Sequence, residues 1–337
     1  MATQLTLQQV HELALAALIA SGTEHGNAES VAASVADSEA EGIHSHGLAR
    51  LPTYCEHARC GKIDGHARPT VEAVAPAGLR ADAADGFAHP AIDLGLERLL
   101  PLAREQGIAA LAVTNSYNCG VCGYHVGRIA RAGLVALGYV NAPASIAPWG
   151  GSDPAFGTNP VSFAAPRAGG DPLVIDQSSS VVAKSEIVVH KQRGEPIPEG
   201  WALDADGNPT TDPAAALAGS MVPMGGYKGS GIALLVEIMA AAVTGSSLAI
   251  DASSFADNEG GSPRTGQLFI ALDPARFSGG AFDERLERLL GAIEAQEGTR
   301  LPGAGRAAAR ARTARDGIEI SDTLYEKIRG YADGEPE

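Results

Sequence analysis

Apolar positions recur at helical spacing in two stretches at the start of the chain. One face of a first helix would carry Val10, Leu13, Ala14, Ala17 and Leu18. Thr6 stands where it could cap the N-terminus of this helix. Val31 and Val35 supply the stripe of a second helix, which is predicted to begin near Asn27 as its cap. Both helices are expected to pack on a core.

Helical stretches and short apolar runs alternate further along the chain. Helices are predicted at 91–106, at 126–132 and from Lys228 onward, and the first two would end at Gly107 and Gly133. Strands are predicted at 108–114, 134–140, 161–164, 173–175 and 267–272. Several buried strands among helices indicate an α/β fold with a largely internal sheet. Residues 194–223 are rich in Gly, Pro, Asp and Thr, which predicts a long loop.

The charge of the chain limits its partners. The 337 residues have a formal net charge of -15, so nucleic acid and anionic membranes are not expected to bind. A small anionic substrate would need a few Arg or Lys residues placed in a cleft. The sequence has no secretory leader and no apolar run of roughly 18 residues, so we expect a cytoplasmic protein. The four cysteines are expected to be reduced thiols.

Residues 44–50 concentrate groups that could carry chemistry. His44, Ser45, His46 and Arg50 place two imidazoles, a hydroxyl and a guanidinium after the second helix. Imidazole can move the proton that is exchanged when a carbonyl becomes an alcohol, and Arg50 could hold a carboxylate by two hydrogen bonds. Two packed or surface histidines are an equal alternative on these residues alone. A zinc site is disfavoured because a third ligand at a familiar spacing is missing.

Three further motifs have a structural alternative beside a functional one. Cys119 and Cys122 have the spacing of half a zinc site, but small buried side chains explain them better. The segment GGYKGSG at 225–231 could be an anion site or a plain helix start. The segment DADG at 204–207 resembles the start of a calcium loop but is better explained as a surface turn. The looser dinucleotide fingerprint at 303–308 follows no predicted strand, so a classical Rossmann fold is not supported.

Five motifs in order along the chain carry a resemblance to a known family. They are EGIHSHGLAR at 41–50, FGTNP at 156–160, IDQSSS at 175–180, GYKG at 226–229 and PRTGQ at 263–267. Together they resemble the type-2 malate/L-lactate dehydrogenase family. The resemblance implies an α/β fold with a mixed sheet and flanking helices, a homodimer, and NADP- or NAD-dependent interconversion of 2-hydroxy and 2-oxo acids. It favours this activity over a nucleotide-binding regulatory protein that has lost catalysis.

The resemblance also assigns segments and residues. Residues 1–75 would be an N-terminal helical segment, 76–275 the cofactor- and substrate-binding core, and 276–337 a C-terminal helical segment packed on the N-terminal part. The family pattern implies His46 as the acid/base, Ser45 as its assistant and Glu186 as a relay acid. Substrate contacts would come from Arg50, Thr158 and Lys184. The implied cofactor contacts are Thr114, Asn118, Val174, Ile175, Asp176, Lys228, Gly229 and Arg264.

Two stretches bear on the substrate. Residues 180–187 and 198–207 are most similar to family members that use (2R)-3-sulfolactate with NADP. Lys184, or His190 with Lys191, could then bind the second anionic group. Members that reduce cyclic ketimines are the main alternative, followed by those that use malate, lactate or ureidoglycolate. Many relatives have a histidine where this chain has Asn118, and an amide cannot carry the positive charge of an imidazolium.

Overall fold

The computed structural model describes residues 2–334 of the chain. In chain order the strands are β1 Ala2–Leu5, β2 Thr70–Ala75, β3 Gly78–Asp82, β4 Ile108–Ser116, β5 Val135–Val140, β6 Val161–Ala165, β7 Leu173–Gln177, β8 Ala202–Leu203, β9 Pro209–Thr210, β10 Ser220–Met221, β11 Thr265–Leu272 and β12 Ile318–Ser321. The helices are α1 Leu7–Ala20, α2 His25–Ala40, α3 Leu51–Arg59, α4 Ala88–Gln106, α5 Cys122–Arg131, α6 Lys184–Arg193, α7 Pro213–Ala218, α8 Tyr227–Glu237, α9 Pro274–Ser278, α10 Phe282–Glu294, α11 Ala304–Asp316 and α12 Asp322–Ala332. Two 3-10 turns, His44–His46 and Leu48–Arg50, join α2 to α3, and a π-turn at Ile238–Ala242 extends α8.

A seven-stranded mixed sheet lies at the centre of the fold. Its order is β2-β3-β4-β11-β5-β6-β7, in which β3 and β4 are parallel and the other neighbours antiparallel. This mixed sheet with flanking helices confirms the predicted α/β fold. It differs from a classical dinucleotide fold, whose sheet is mostly parallel. Two smaller sheets accompany it, one of β1 with β12 and one in the order β10-β8-β9.

Two apolar clusters hold helices α1–α5 and α12 in place. The first joins α4 and α5 to the central sheet through side chains such as Leu99, Leu111, Ile129 and Phe269. The second joins α1, α2, α3 and α12, and its members include Leu18, Leu51, Tyr54 and Ile328. β1 pairs with β12 beside this second cluster, so the two ends of the described chain meet. The predicted division into three segments stays a prediction.

The first predicted helix is confirmed, and the start of the second is wrong. The Thr6 hydroxyl accepts a hydrogen bond from the backbone N–H of Gln9, as the predicted cap should. Glu24, not Asn27, caps α2. The amide of Asn27 donates instead to the carbonyl oxygens of Gly65 and Ala67, at 3.0 and 2.9 Å. A distant loop therefore uses the amide that the local pattern assigned to a cap.

The other predicted elements are present with shifted ends. α4 starts at Ala88 and ends where Gly107 adopts a left-handed conformation with φ 86°. The segment expected to be a loop at 194–223 contains β8, β9, β10 and α7. The turn after Asp204 is present, because its carboxylate accepts backbone N–H groups from Asp206 and Asn208. No helix within residues 2–334 is both long and apolar enough to cross a membrane.

Candidate active site around His46

A buried carboxylate organises the turn between α2 and α3. Glu39 is 1% exposed, and its Oε1 accepts the backbone N–H of Leu48 at 2.7 Å. Its Oε2 lies 2.6 Å from Nδ1 of His44. A Cβ added to Gly47 would stand 2.1 Å from Oε1 of Glu39, so the chain needs glycine there. Sequence reasoning did not identify Glu39, whose position near the end of an amphipathic helix is typical of a solvated residue.

The two histidines of this turn have opposite electrostatic surroundings. The hydrogen bond with Glu39 raises the pKa of His44, which is largely exposed. Burial lowers the pKa of His46 to about 4, and the positive charges of Arg50 and Arg306 lower it further. His46 is therefore neutral at pH 7 and can accept a proton.

Ser45 contacts one nitrogen of the His46 ring. The distance from its Oγ to Nδ1 of His46 is 3.1 Å. This contact leaves Nε2 of the ring for a proton that moves to or from a ligand. The structure thus brings Ser45 and His46 together in the way their predicted roles require, and the roles themselves stay predictions.

Arg50 precedes α3 and is held by aromatic groups. Its guanidinium carbon lies 5.9 Å from the ring centroid of Phe255. It also hydrogen-bonds the hydroxyl of Tyr54, whose pKa burial raises to about 12. The Tyr54 hydroxyl donates in turn to Oδ1 of Asn118 at 3.1 Å. The predicted substrate residue Arg50 and the predicted cofactor residue Asn118 are therefore linked through one tyrosine.

Arg306 is a site residue that sequence reasoning missed. It lies in the first turn of α11, with Nη2 3.5 Å from Oδ2 of Asp176 and Nη1 3.8 Å from Oε2 of Glu41. Asp176 also accepts the backbone N–H of Gly123 at 2.8 Å, and burial raises its pKa. The glycine-rich segment at 303–308 contains Arg306 and was the available signal. It did not fit the strand-turn-helix pattern of a dinucleotide fingerprint, and the structure shows it starting a helix from Gly303.

The first turn of α6 supplies one group to this region and leaves another outside it. Crowding of the Lys184 ammonium by protein atoms lowers its pKa, and the positive charge of Arg50 lowers it further. Glu186 is exposed, and within residues 2–334 its side chain makes no hydrogen bond or ion pair. Within the described residues, no contact joins Glu186 to His46 as the predicted relay would require.

Thr158 and two predicted cofactor residues lie near the end of β7. The carbonyl oxygen of Thr158 accepts the N–H of Ser179 at 2.8 Å and the hydroxyl of Ser178 at 3.0 Å. Val174 and Ile175 are half-buried in β7 and directly precede Asp176 in the same strand. These residues therefore surround the strand end that carries Asp176 into the region of Arg306.

The glycine-rich segment before α8 begins a helix, and its role as an anion site stays a prediction. A Cβ on Gly229 would lie 1.7 Å from the carbonyl oxygen of Met224, so the helix start itself requires glycine. No side chain caps α8, whose cap residue is Gly226, and Lys228 is exposed beside the uncapped N–H groups. An uncapped helix N-terminus with a lysine is a suitable anion site.

The last two predicted cofactor residues lie apart from the others. Thr114 is fully buried in β4, and its Oγ1 accepts the hydroxyl of Ser246 at 3.1 Å. Arg264 makes two hydrogen bonds of 2.8 Å to Asp85. In the described chain no hydrogen bond or ion pair joins either residue to the groups around His46, and both already have protein partners.

The two cysteines at the start of α5 and just before it lie in a buried, structural environment. Cys119 and Cys122 are both 2% exposed, and burial raises the pKa of each thiol. Sγ of Cys122 lies 2.8 Å from the hydroxyl of Ser162. The expectation of small buried side chains is confirmed, and no cluster suited to a metal ion occurs in residues 2–334.

Comparison with known proteins identifies the family. The family model described as malate/L-lactate dehydrogenase matches residues 5–329, so the chain belongs to this family and the prediction of such a dehydrogenase is confirmed. The chain is 49% identical to the (2R)-3-sulfolactate dehydrogenase (NADP(+)) of Chromohalobacter salexigens, over 98% of this chain and 99% of that protein. It is 39% identical to the Delta(1)-pyrroline-2-carboxylate reductase of Ancylobacter novellus, over 97% of this chain and 96% of that protein.

Solved structures give the same result for the fold. The delta1-piperideine-2-carboxylate reductase from Pseudomonas syringae superimposes with a TM-score of 0.92 at 36% identity, covering 98% of this chain and 99% of that one. The sulfolactate dehydrogenase from Methanocaldococcus jannaschii gives 0.90 at 27% identity, covering 98% and 97%. The relatives therefore share this fold over almost their whole length.

Proposed function

We propose that the protein interconverts (2R)-3-sulfolactate and sulfopyruvate with NADP. The observation that carries this proposal is the concentration of positive charge around His46. Arg50 and Arg306 both act on His46, and Arg306 is itself paired with Asp176 and Glu41. Arg50 also acts on Lys184, and within residues 2–334 neither Arg50 nor Lys184 is paired with a carboxylate. A three-carbon acid with a carboxylate and a sulfonate supplies two negative charges for these cations. The relative that is 49% identical is named for this substrate and cofactor.

In the proposed reaction Arg50 holds the carboxylate and His46 moves the proton. NADP, when bound, supplies the acceptor or donor of the hydride. During oxidation Nε2 of His46 takes the hydroxyl proton while C2 loses a hydride, and during reduction His46 returns a proton to the carbonyl oxygen. A bound dianion offsets the charge of Arg50 and so raises the pKa of His46, which favours the protonated form that reduction needs. Glu186 remains in the proposal as the relay on the family resemblance alone.

The residues present fit an anionic dinucleotide. The uncapped N-terminus of α8 with Lys228 can bind phosphate oxygens. Nη1 of Arg306 lies 3.8 Å from Oε2 of Glu41 but makes no hydrogen bond within the described chain, so it retains a hydrogen-bond donor. Val174, Ile175, Asp176, Asn118 and Gly229 belong to the same proposed surface. Thr114 and Arg264 already hydrogen-bond to protein groups, so they stay in the proposal on the family resemblance alone. NAD is the alternative cofactor.

Reduction of cyclic ketimines is the second candidate function. Relatives at 39% identity and the structural neighbour with a TM-score of 0.92 carry names of that activity. Delta1-piperideine-2-carboxylate has one carboxylate and no sulfonate, so it would use Arg50 but leave Lys184 without an anionic partner. Lys184 therefore distinguishes the two candidates.

The direct test measures NADPH and NADH oxidation with sulfopyruvate, pyruvate, oxaloacetate and Delta1-piperideine-2-carboxylate. We expect sulfopyruvate with NADPH to give the highest kcat/KM. Lys184→Met should lower kcat/KM for sulfopyruvate about 10-fold or more and leave that for pyruvate nearly unchanged, because a hydrogen bond to a charged group contributes about 1.5 to 3 kcal/mol. Arg193→Met, which removes an exposed cation at the end of the same helix, is the control. A clear preference for the cyclic imine would reject the sulfolactate assignment.

A homodimer and a cytoplasmic location complete the proposal. α8, its π-turn and the loops beside them expose several large apolar side chains, namely Trp149, Tyr227, Leu234, Leu235, Ile238, Val243 and Ile250. Exposed apolar side chains concentrated on one element are typical of an interface between subunits. Leu234→Glu combined with Ile238→Glu should convert a dimer into a monomer in light scattering, and a wild-type protein that is monomeric would reject the proposal. Cell fractionation tests the location.

A further inference from the structure

Lys62 is a charged side chain that is buried in the fold. It follows α3 and is 1% exposed. Its Nζ donates to the carbonyl oxygens of Asp257 at 2.8 Å and Glu259 at 2.5 Å, and it lies 3.5 Å from Oδ1 of Asp257. A buried ammonium requires partners of this kind, because an unpaired one is strongly destabilising. One lysine therefore joins the chain after α3 to loop residues that lie 195 and 197 positions further along the sequence.

The loop that Lys62 holds is a surface segment, defined here as residues 253–261. The hydroxyl of Ser253 donates to the carbonyl oxygen of Gly261 at 2.7 Å, which closes the segment. The backbone N–H of Glu259 donates to Oδ1 of Asp257 at 3.0 Å. Residues 256–260 are exposed to solvent, so the contacts of Lys62 anchor a segment that contributes little to the core.

Phe255 is the side chain by which this loop reaches the candidate active site. Its ring centroid is 5.0 Å from that of Tyr117, which is fully buried. The guanidinium carbon of Arg50 also lies over the Phe255 ring, 5.9 Å from its centroid. Guanidinium groups within about 6 Å of an aromatic ring are attracted to it. The position of Phe255 thus helps to decide where the guanidinium of Arg50 stands.

We propose that Lys62 and Phe255 are positioning residues for Arg50. Lys62 fixes the 253–261 loop, the loop fixes Phe255, and the ring of Phe255 holds the guanidinium in the orientation that receives the substrate carboxylate. α3 gives this arrangement its geometry, because Arg50 and Lys62 flank its two ends and contact the same loop. The proposal rests on the proposed role of Arg50 as carboxylate anchor.

The test measures KM and kcat separately, with sulfopyruvate and NADPH as the varied substrates. Phe255→Leu keeps apolar volume and removes the ring, and Lys62→Met keeps the length of the stem and removes the ammonium. Each should raise KM for sulfopyruvate about 3- to 20-fold, the range expected for loss of a cation–π contact, with kcat and KM for NADPH changed less than about twofold. Phe255→Tyr retains the ring and should restore a KM close to that of the wild type.

Double variants show whether the effect passes through Arg50. Phe255→Leu should add nothing to KM in an Arg50→Ala background, and Lys62→Met should add nothing in a Phe255→Leu background. Lys327→Met is the matched control, since it removes a lysine that contacts α3 through Glu56 without touching the loop. If Lys62→Met does not fold, Phe255→Leu and its double variant decide the question.

The possible outcomes separate this inference from the proposed function. Equal losses of kcat, cofactor affinity and thermal stability would show a merely structural role and overturn the inference. The same result follows if Phe255→Leu leaves KM unchanged while Arg50→Ala raises it, or if Lys327→Met matches Lys62→Met. An unchanged KM in Arg50→Ala would instead overturn the proposed role of Arg50 itself.

Discussion

Two regions of the molecule contain a histidine whose pKa is lowered to about 4, and burial is the largest cause in both. His46 lies on the turn before α3, where Ser45 contacts its ring and two arginines act on its charge. His125 lies in α5, where its Nε2 is 2.8 Å from the carbonyl oxygen of Cys119 and its ring packs 5.7 Å from that of Phe269. The same pKa therefore occurs in a charged turn and in an apolar core.

The difference between the two regions shows what a lowered pKa indicates. His125 is fully buried and lies 5.6 Å, between ring centroids, from His89, whose pKa burial also lowers. A ligand could not reach either ring without disrupting the first apolar cluster. His46 is only partly buried and has cations beside it that could bind an anionic substrate. The candidate function thus follows from access and charged neighbours, not from the pKa alone.

Removing each imidazole in turn tests most directly whether His46 is catalytic and His125 structural. His46→Ala should lower kcat about 100- to 10,000-fold, because a general acid/base contributes that much, with little change in thermal stability. His125→Ala should lower the free energy of unfolding by about 2 to 4 kcal/mol through a cavity in the core, with kcat of the folded enzyme changed less than about threefold. Steady-state kinetics and thermal unfolding measure both. A His46→Ala variant with near-wild-type turnover would contradict the assignment.

The support beneath the charged turn gives the next largest effect. Gly47→Ala would place a methyl group against Oε1 of Glu39 and displace the turn that carries His46 and Arg50. A misplacement of about 1 Å can reduce activity about 100-fold, so we expect kcat/KM to fall about 10- to 100-fold. Gly291→Ala in α10, where an added Cβ meets no atom, is the matched control. Equal activity of the two variants would show that the turn tolerates movement.

A smaller effect concerns the pH dependence of His46. Arg306→Met removes a positive charge that lowers the pKa of His46, so the acid limb of kcat/KM for sulfolactate oxidation should move to higher pH. The movement should be less than about one pH unit, since burial is the larger cause and remains. Arg310→Met, which removes an arginine from the same helix, is the control. A movement to lower pH would contradict the electrostatic argument.

The smallest expected effect concerns His44 and Glu39. The raised pKa of His44 means that its interaction with Glu39 stabilises the fold below pH 6.5 and is lost as pH rises through the pKa of the folded state. Glu39→Gln keeps an acceptor for Leu48 but removes the charge. Its cost in unfolding free energy should be larger at pH 6 than at pH 9 by about 0.5 kcal/mol, a small value because solvent screens the exposed His44. Denaturant unfolding at the two pH values tests the sign.

Local patterns predicted the helices and the central strands well, and they failed where distant residues compete. Thr6 caps α1 as expected because its partner, Gln9, is three residues away. Asn27 does not cap α2, because Gly65 and Ala67 accept its amide hydrogens and Glu24 takes the capping position. The small sheet of β8, β9 and β10 was missed because two-residue strands have too few positions to show alternation.

The candidate site divides in the same way. Ser45, His46 and Arg50 are close in sequence, and the structure keeps them close in space. Lys184 was predicted from the family resemblance, and the structure places it within the influence of Arg50. Arg306 was missed because it reaches the site from α11, more than 250 residues away. Glu186 was predicted as a relay on the same resemblance and is exposed here.

The sequence by itself determined the class of fold, the family and the segment that carries His46, since helix periodicity, apolar runs and ordered motifs are local properties of the chain. Only the tertiary structure decided which groups surround that histidine. Arg306 approaches from α11, Phe255 approaches from the 253–261 loop, and Lys62 holds that loop in place. The physical reason is that burial and charge depend on neighbours in space, and these neighbours come from parts of the chain whose spacing no local pattern records.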